Sequence, residues 1–259
     1  MATICDRAAR DLPAVEQPRT RRGRSPRMTT RPVPTIGERL ARLGLPAGGI
    51  TARRAVLPAP VQELHRRILA DFAARGAPPD RAVVAGHAAA AGIDRAVGLE
   101  ALTVMDLVAA DPVTGTVTAA YPFSAAATRH RVRLATGVDV YAMCALDALG
   151  IPGMLGADAV IASTDPITGE AITVTRDNGR WTWRPATTVV LAAGLARADI
   201  TGPEAAAADC SCPHINFHTG PDTAASYLRA HPGTGGETLT QPEAVEAAEH
   251  LFGRLMEAG

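Results

Sequence analysis

Apolar residues recur three to four apart from residue 35 to about 110, and beyond residue 125 the pattern shifts to alternation and short apolar runs. The first regime predicts helices and the second predicts strands. Val61, Leu64, Ile68 and Phe72 share one helix face, and "GAPPD" ends that helix and offers Asp80 as a cap for the next. "RAVVAGHAAAAGIDRAVGLEALTVMDLVAA" reads as two short helices joined at Gly92, after which "DPVTG" turns into "TVTAAYPF" as a hairpin. Further on, "RHRVRLA", "ADAVIAST", "AITVT", "RWTWRPA" and "TTVVLAAG" read as strands, with "DPITGE" and "RDNGR" as turns. Helix returns in "PDTAASYLRAHPG" and "TQPEAVEAAEHLFGRLMEA". Strands grouped together with helices at either end predict an α+β fold.

The paired helices and hairpin resemble a winged helix, so the expected architecture is a winged-helix-like N-terminal part followed by a mixed or antiparallel β core with flanking helices. Nucleic-acid binding does not follow from that resemblance. The would-be recognition helix offers Arg95 together with Asp94, Glu100 and Asp106, a poor face for phosphates. The expected domains are a basic tail over 1–34, the winged-helix-like part over 35–125, and a β-rich core over 126–259.

Charge changes the picture only at the N-terminus. The whole chain of 259 residues has formal net charge zero, so no global field recruits nucleic acid or an anionic membrane. Residues 1–32 carry eight Arg against Asp6, Asp11 and Glu16, with no hydrophobic period, and read as a disordered tail. No apolar h-region follows Arg21 and Arg22, which excludes a twin-arginine signal. A start assigned too early, with Met28 as the natural beginning, explains the tail as well as an interaction role does. No apolar run approaches the roughly 18 residues of a membrane span. The expected location is the cytoplasm, where thiols stay reduced.

Candidate chemistry rests on four cysteines. Cys5 lies in the tail, which leaves Cys144 in "YAMCALDALG" and the pair Cys210 and Cys212 in "DCSCPHINFH". The first stretch reads as helical throughout, with Asp139 as its N-cap; residues three apart then bring Cys144 and Asp147 to one face. A thiol beside a carboxyl is arranged for proton exchange. The alternatives are a buried Cys144 acting as a small hydrophobe and a zinc set of Cys210, Cys212 and His214. The zinc spacing is unusual and lacks a second cysteine pair.

"VYAMCALDALGIPGML", followed by "CPHINFHTGPDTAASYLRAHPG" and the closing "EAVEAAEHLFGRL", resembles the organomercurial (alkylmercury) lyase family from about residue 55 to the C-terminus. The resemblance implies a catalytic set of Cys144, Asp147 and Cys212. It implies cleavage of a carbon–mercury bond, with Hg(II) left on the two cysteines and touching Asp147. No organic cofactor is implied; exogenous thiols or a mercuric reductase would take the mercury, and the protein would be a monomer, while the charge pattern and lack of an apolar span lead to the expectation of neither nucleic-acid nor membrane partners. Met143 stands where family members commonly have a bulky aromatic, Asp165 where some carry a structural cysteine, and His218 where an aromatic is usual. Met143, Cys210 and His218 are therefore accessory candidates, while His214 and Asn216 are expected to shape their loop. A non-catalytic carrier or sensor of soft metal (mercury, copper or zinc), using Cys144, Cys210 and Cys212, is the alternative function.

Overall fold

The computed structural model describes residues 34–195 and 207–257, and the basic tail falls outside them. Five helices come first: α1 (Ile36–Arg42), α2 (Gly49–Ala55), α3 (Ala59–Arg75), α4 (Arg81–Ala90) and α5 (Arg95–Val104). Three of their starts follow side-chain capping chemistry in the sequence. The Thr35 hydroxyl and Glu38 form a capping box on α1, Asp80 accepts the amide of Val83 at 2.9 Å, and Asp94 accepts that of Ala96 at 2.8 Å. The predicted face of α3 is buried, with Phe72 stacked on Phe123 at 5.3 Å between ring centroids.

Eight strands form one antiparallel sheet: β1 (Val108–Ala110), β2 (Val117–Ala120), β3 (Phe123–Ser124), β4 (Arg131–Leu134), β5 (Asp139–Ala142), β6 (Ala159–Thr164), β7 (Ala171–Asp177) and β8 (Arg180–Arg184). Their order is β1-β2-β3-β5-β4-β6-β7-β8. In β6 burial alternates residue by residue, as a strand with one face on a core requires. The β1–β2 hairpin lies where the pattern puts it, and it is the edge of this large sheet, joined to β5 through β3. The sheet thus crosses the boundary drawn at residue 125.

A second antiparallel sheet has the order β10-β9-β11, with β9 (Val189–Leu195) between β10 (Asn216–His218) and β11 (Thr234–Leu239). The helices α7 (Ala207–Cys210), α8 (Pro221–Ala230) and α9 (Gln241–Phe252) complete the chain. β11 carries little apolar signal, but Gly236 explains its place. A Cβ there would lie 2.5 Å from that of Ala193, so only glycine lets β11 pair closely with β9.

Between the sheets runs α6 (Ala145–Leu155), which touches β4, β5 and β6 of one and β9 and β10 of the other. A helix covered on all sides must be apolar all round, and nine of its eleven residues are buried. Here the structure corrects the sequence reading. Tyr141 and Ala142 belong to β5, and Asp139 binds Arg133 at 2.8 Å instead of capping a helix. The four residues of β5 alternate in burial, a two-residue period too short to stand out beside a long apolar helix.

Gly150 is the point where α6 meets α9, and a Cβ there would overlap the buried Phe252 ring. Gly150→Ala is expected to cost about 1–3 kcal/mol of stability, since overpacking outweighs the gain in helix propensity. Urea unfolding of the variant checks this.

Candidate active site

Cys144 sits at the junction of β5 and α6 in extended backbone, with φ −148° and ψ −178°. It is itself the N-cap: its Sγ accepts the amide of Asp147 at 3.5 Å. Asp147 therefore occupies the first turn, and the cap geometry turns its carboxyl and the thiol toward one volume. The second thiol arrives on the 3-10 turn Cys212–His214. The amide of Ala145 donates to the carbonyl of Ile215 at 3.0 Å, so the start of α6 is bonded directly to the segment bearing Cys212.

Cys212 Sγ lies 3.9 Å from Asp147 Oδ2, and the ligand atoms of Cys144, Asp147 and Cys212 all fall within 4.8 Å of one another. All three side chains are buried, and all three cysteines of the described residues are free thiols. Among the described residues this is the one such group of metal-capable side chains.

Burial governs the protonation of the site. It pushes the Asp147 carboxyl up to about 7, against hydrogen bonds from Cys144 and Cys212 that favour the anion. It also raises the Cys144 thiol well above its usual value, aided by its hydrogen bond with Cys212 and the charge of Asp147. For Cys212, the hydrogen bond with Cys144 pulls downward, but burial and the Asp147 charge win and the thiol is raised. The largest influences on these three groups are burial, their mutual hydrogen bonds and neighbouring carboxylates. The two thiols thus keep their protons at rest, unlike reactive cysteines kept as thiolates by a neighbouring positive charge. A thiophilic metal is what would displace them, since metal binding releases ligand protons.

The other candidates lie elsewhere. Cys210 ends α7, buried, but outside the group of three. Met143 is half-buried and packs on the main core. His218 is fully buried in β10, its Nδ1 3.8 Å from Asp165 Oδ1 and its ring edge-on to Tyr227. Desolvation holds that imidazole neutral, with its pKa lowered to about 4. Asp165 serves the framework, accepting the amides of Ile167 and Thr219, each at 2.8 Å, and so tying the β6–β7 turn to the end of β10. Burial works to raise its pKa, but these bonds bring it down to about 2. His214 and Asn216 hold the loop, His214 Nδ1 at 3.0 Å from the Tyr227 hydroxyl and Asn216 Nδ2 donating to the Pro213 carbonyl at 2.9 Å. A separate cleft of about 380 Å³ between Trp183, Trp181 and Val245 contains none of the three.

The sequence profile of the family described as alkylmercury lyase matches residues 123–253, half of the chain and all three site residues. The chain belongs to the alkylmercury lyase family. Within that family, the alkylmercury lyase of Staphylococcus epidermidis (strain ATCC 12228 / FDA PCI 1200) is 30% identical over 142 residues, 54% of this chain and 61% of that protein. The chain thus spans about three fifths of the length of the curated relative it matches. A crystal structure of the mercury-bound form of MerB2 superposes with TM-score 0.64 at 22% identity, covering 80% of this chain and 96% of the other, and so shares the fold. No helix among the described residues is long and apolar enough to cross a membrane.

Proposed function

We propose that the protein is an organomercurial lyase that cleaves the carbon–mercury bond by protonation, using Cys144, Cys212 and Asp147. The observation that carries this reading is the buried Asp147 carboxyl, 3.9 Å from Cys212 Sγ, with the Cys144 thiol within 4.8 Å of both. Mercury is soft and prefers thiolate sulfur, an extension of the softness rule for protein metal sites.

One thiol binds the mercury of R–Hg⁺ and gives its proton to solvent. The second thiol passes its proton to the Asp147 carboxylate as its sulfur joins the metal. Two thiolates load electron density onto the carbon, Asp147 protonates it, and the carbon–mercury bond breaks. R–H leaves, Hg(II) stays on the two sulfurs, and Asp147 is again a carboxylate. A carboxyl poised near neutral pH suits both halves of this relay, accepting a proton from sulfur and surrendering it to carbon. No organic cofactor enters; thiols in excess, or a mercuric reductase, take the metal for the next turnover. A soft-metal carrier would need the sulfurs but not Asp147 between them.

In this reading the N-terminal helices and the β1–β2 hairpin are a winged-helix-like scaffold, not a nucleic-acid interface, and the protein works as a cytoplasmic monomer. The test is benzene release from a phenylmercury salt by reduced protein under excess thiol, followed by headspace gas chromatography. Catalytic release that disappears in Cys144→Ala is the expected result. Tight mercury binding without benzene would leave only a carrier.

A further inference from the structure

Asp106, between α5 and β1, takes no part in the chemistry above. Its φ of 51° is left-handed, a conformation that aspartate tolerates better than most side chains. Its Oδ2 accepts two bonds, from Arg53 of α2 at 2.8 Å and from the backbone amide of Ala207, the first residue of α7, at 3.3 Å. From Ala207 a short chain of backbone bonds leads to the second thiol. The Ala207 carbonyl accepts the amide of Ser211 at 3.0 Å, and the Ser211 carbonyl accepts that of His214 at 2.9 Å. Cys212 lies inside that turn.

The segment carrying Cys212 is consequently held at two ends. Downstream, Ile215 is bonded to Ala145 at the head of α6; upstream, Ala207 is bonded to Asp106. We propose that Asp106, fixed by Arg53, is the positioning residue for the second thiol, setting where α7 and its following turn present Cys212 to Cys144 and Asp147. The ion pair is one-quarter to one-third exposed, so its value is in fixing geometry more than in stability. This gives the N-terminal helices a direct hold on the catalytic core.

The proposal rests on the reading of Cys144, Asp147 and Cys212 as the reacting centre, and the test avoids turnover so that the two can fail separately. The rate of iodoacetamide labelling at each cysteine, resolved by peptide mass spectrometry, reports local opening of these buried thiols. In Asp106→Ala the labelling of Cys212 is expected to rise about tenfold, the scale of losing a hydrogen bond to a charged group, while that of Cys144 stays as in the parent. Affinity for inorganic Hg(II), measured by competition with a dithiol chelator, should fall in parallel. Asp106→Asn keeps an acceptor for Ala207 and should restore most of both; Arg53→Gln should move Cys212 in the same direction as Asp106→Ala by less, and serves if the alanine variant does not fold. Equal acceleration at both cysteines, or no change at Cys212, would overturn the proposal. A parent protein that releases no benzene but shows the selective Cys212 effect would overturn the lyase reading and leave the positioning role standing.

Discussion

Asp147→Asn is expected to reduce carbon–mercury cleavage by roughly 10²–10⁴-fold, the usual contribution of a positioned general acid, while Hg(II) still binds Cys144 and Cys212. The amide is nearly isosteric with the carboxyl and can occupy the same buried position, but it has no transferable proton. Single-turnover benzene release with mercury retention measured on the same sample separates the two effects. Cleavage at the parent rate would remove Asp147 from the mechanism. The same variant has a stability signature. The carboxyl goes from 3.8 when unfolded to about 7 in the fold, so the folded state is penalised increasingly as pH rises through that window. Asp147→Asn should therefore be more stable than the parent at pH 8, and the gain should vanish below about pH 4, as urea unfolding at the two pH values would reveal.

Cys212→Ser is expected to abolish turnover, and Cys144→Ser/Cys212→Ser should be scarcely worse. Groups that act as a unit show this non-additivity, because losing either leaves nothing for the other to complete. A hard serine oxygen does not replace a thiolate on mercury. With one sulfur left, the organomercurial should remain intact on Cys144, visible as a protein adduct retaining its organic group by mass spectrometry. Benzene from that variant would show that a single thiolate suffices and that Cys212 merely stores product.

The sequence carried much of this architecture because its signals were local. Asp80 and the Thr240–Glu243 box mark their helices by capping chemistry alone. β6, β7 and β9 declare themselves by alternation or apolar runs. What was missed depends on distant partners. β10 is three residues long and β11 holds two glycines; each is a strand only because β9 lies beside it. Cys144 and Asp147 were legible as neighbours, but not the reason. The thiol is the helix cap itself, a place usually filled by an oxygen side chain, so Asp139 looked the better candidate. Cys212 joined them through resemblance, since nothing local in "SCPHINF" points toward a helix far earlier in the chain. Asp106 counted only as a charge unfavourable to phosphates; its bonds to Arg53 and Ala207 are legible in three dimensions alone.

The two thiols belong to opposite halves of the core. Cys144 follows the strand β5 of the large sheet, and Cys212 precedes the strand β10 of the small one. In the proposed reaction, mercury shared between them would be a cross-link, closing residues 145–211 into a covalent loop much as a disulfide would. Loops of this order restrict the unfolded chain by about 4 kcal/mol in disulfide-linked proteins. The mercury-loaded protein should thus be harder to melt and to digest than the metal-free one. Small thiols that remove the metal would have to break a staple between two sheets, so its release should be sensitive to how readily the core loosens.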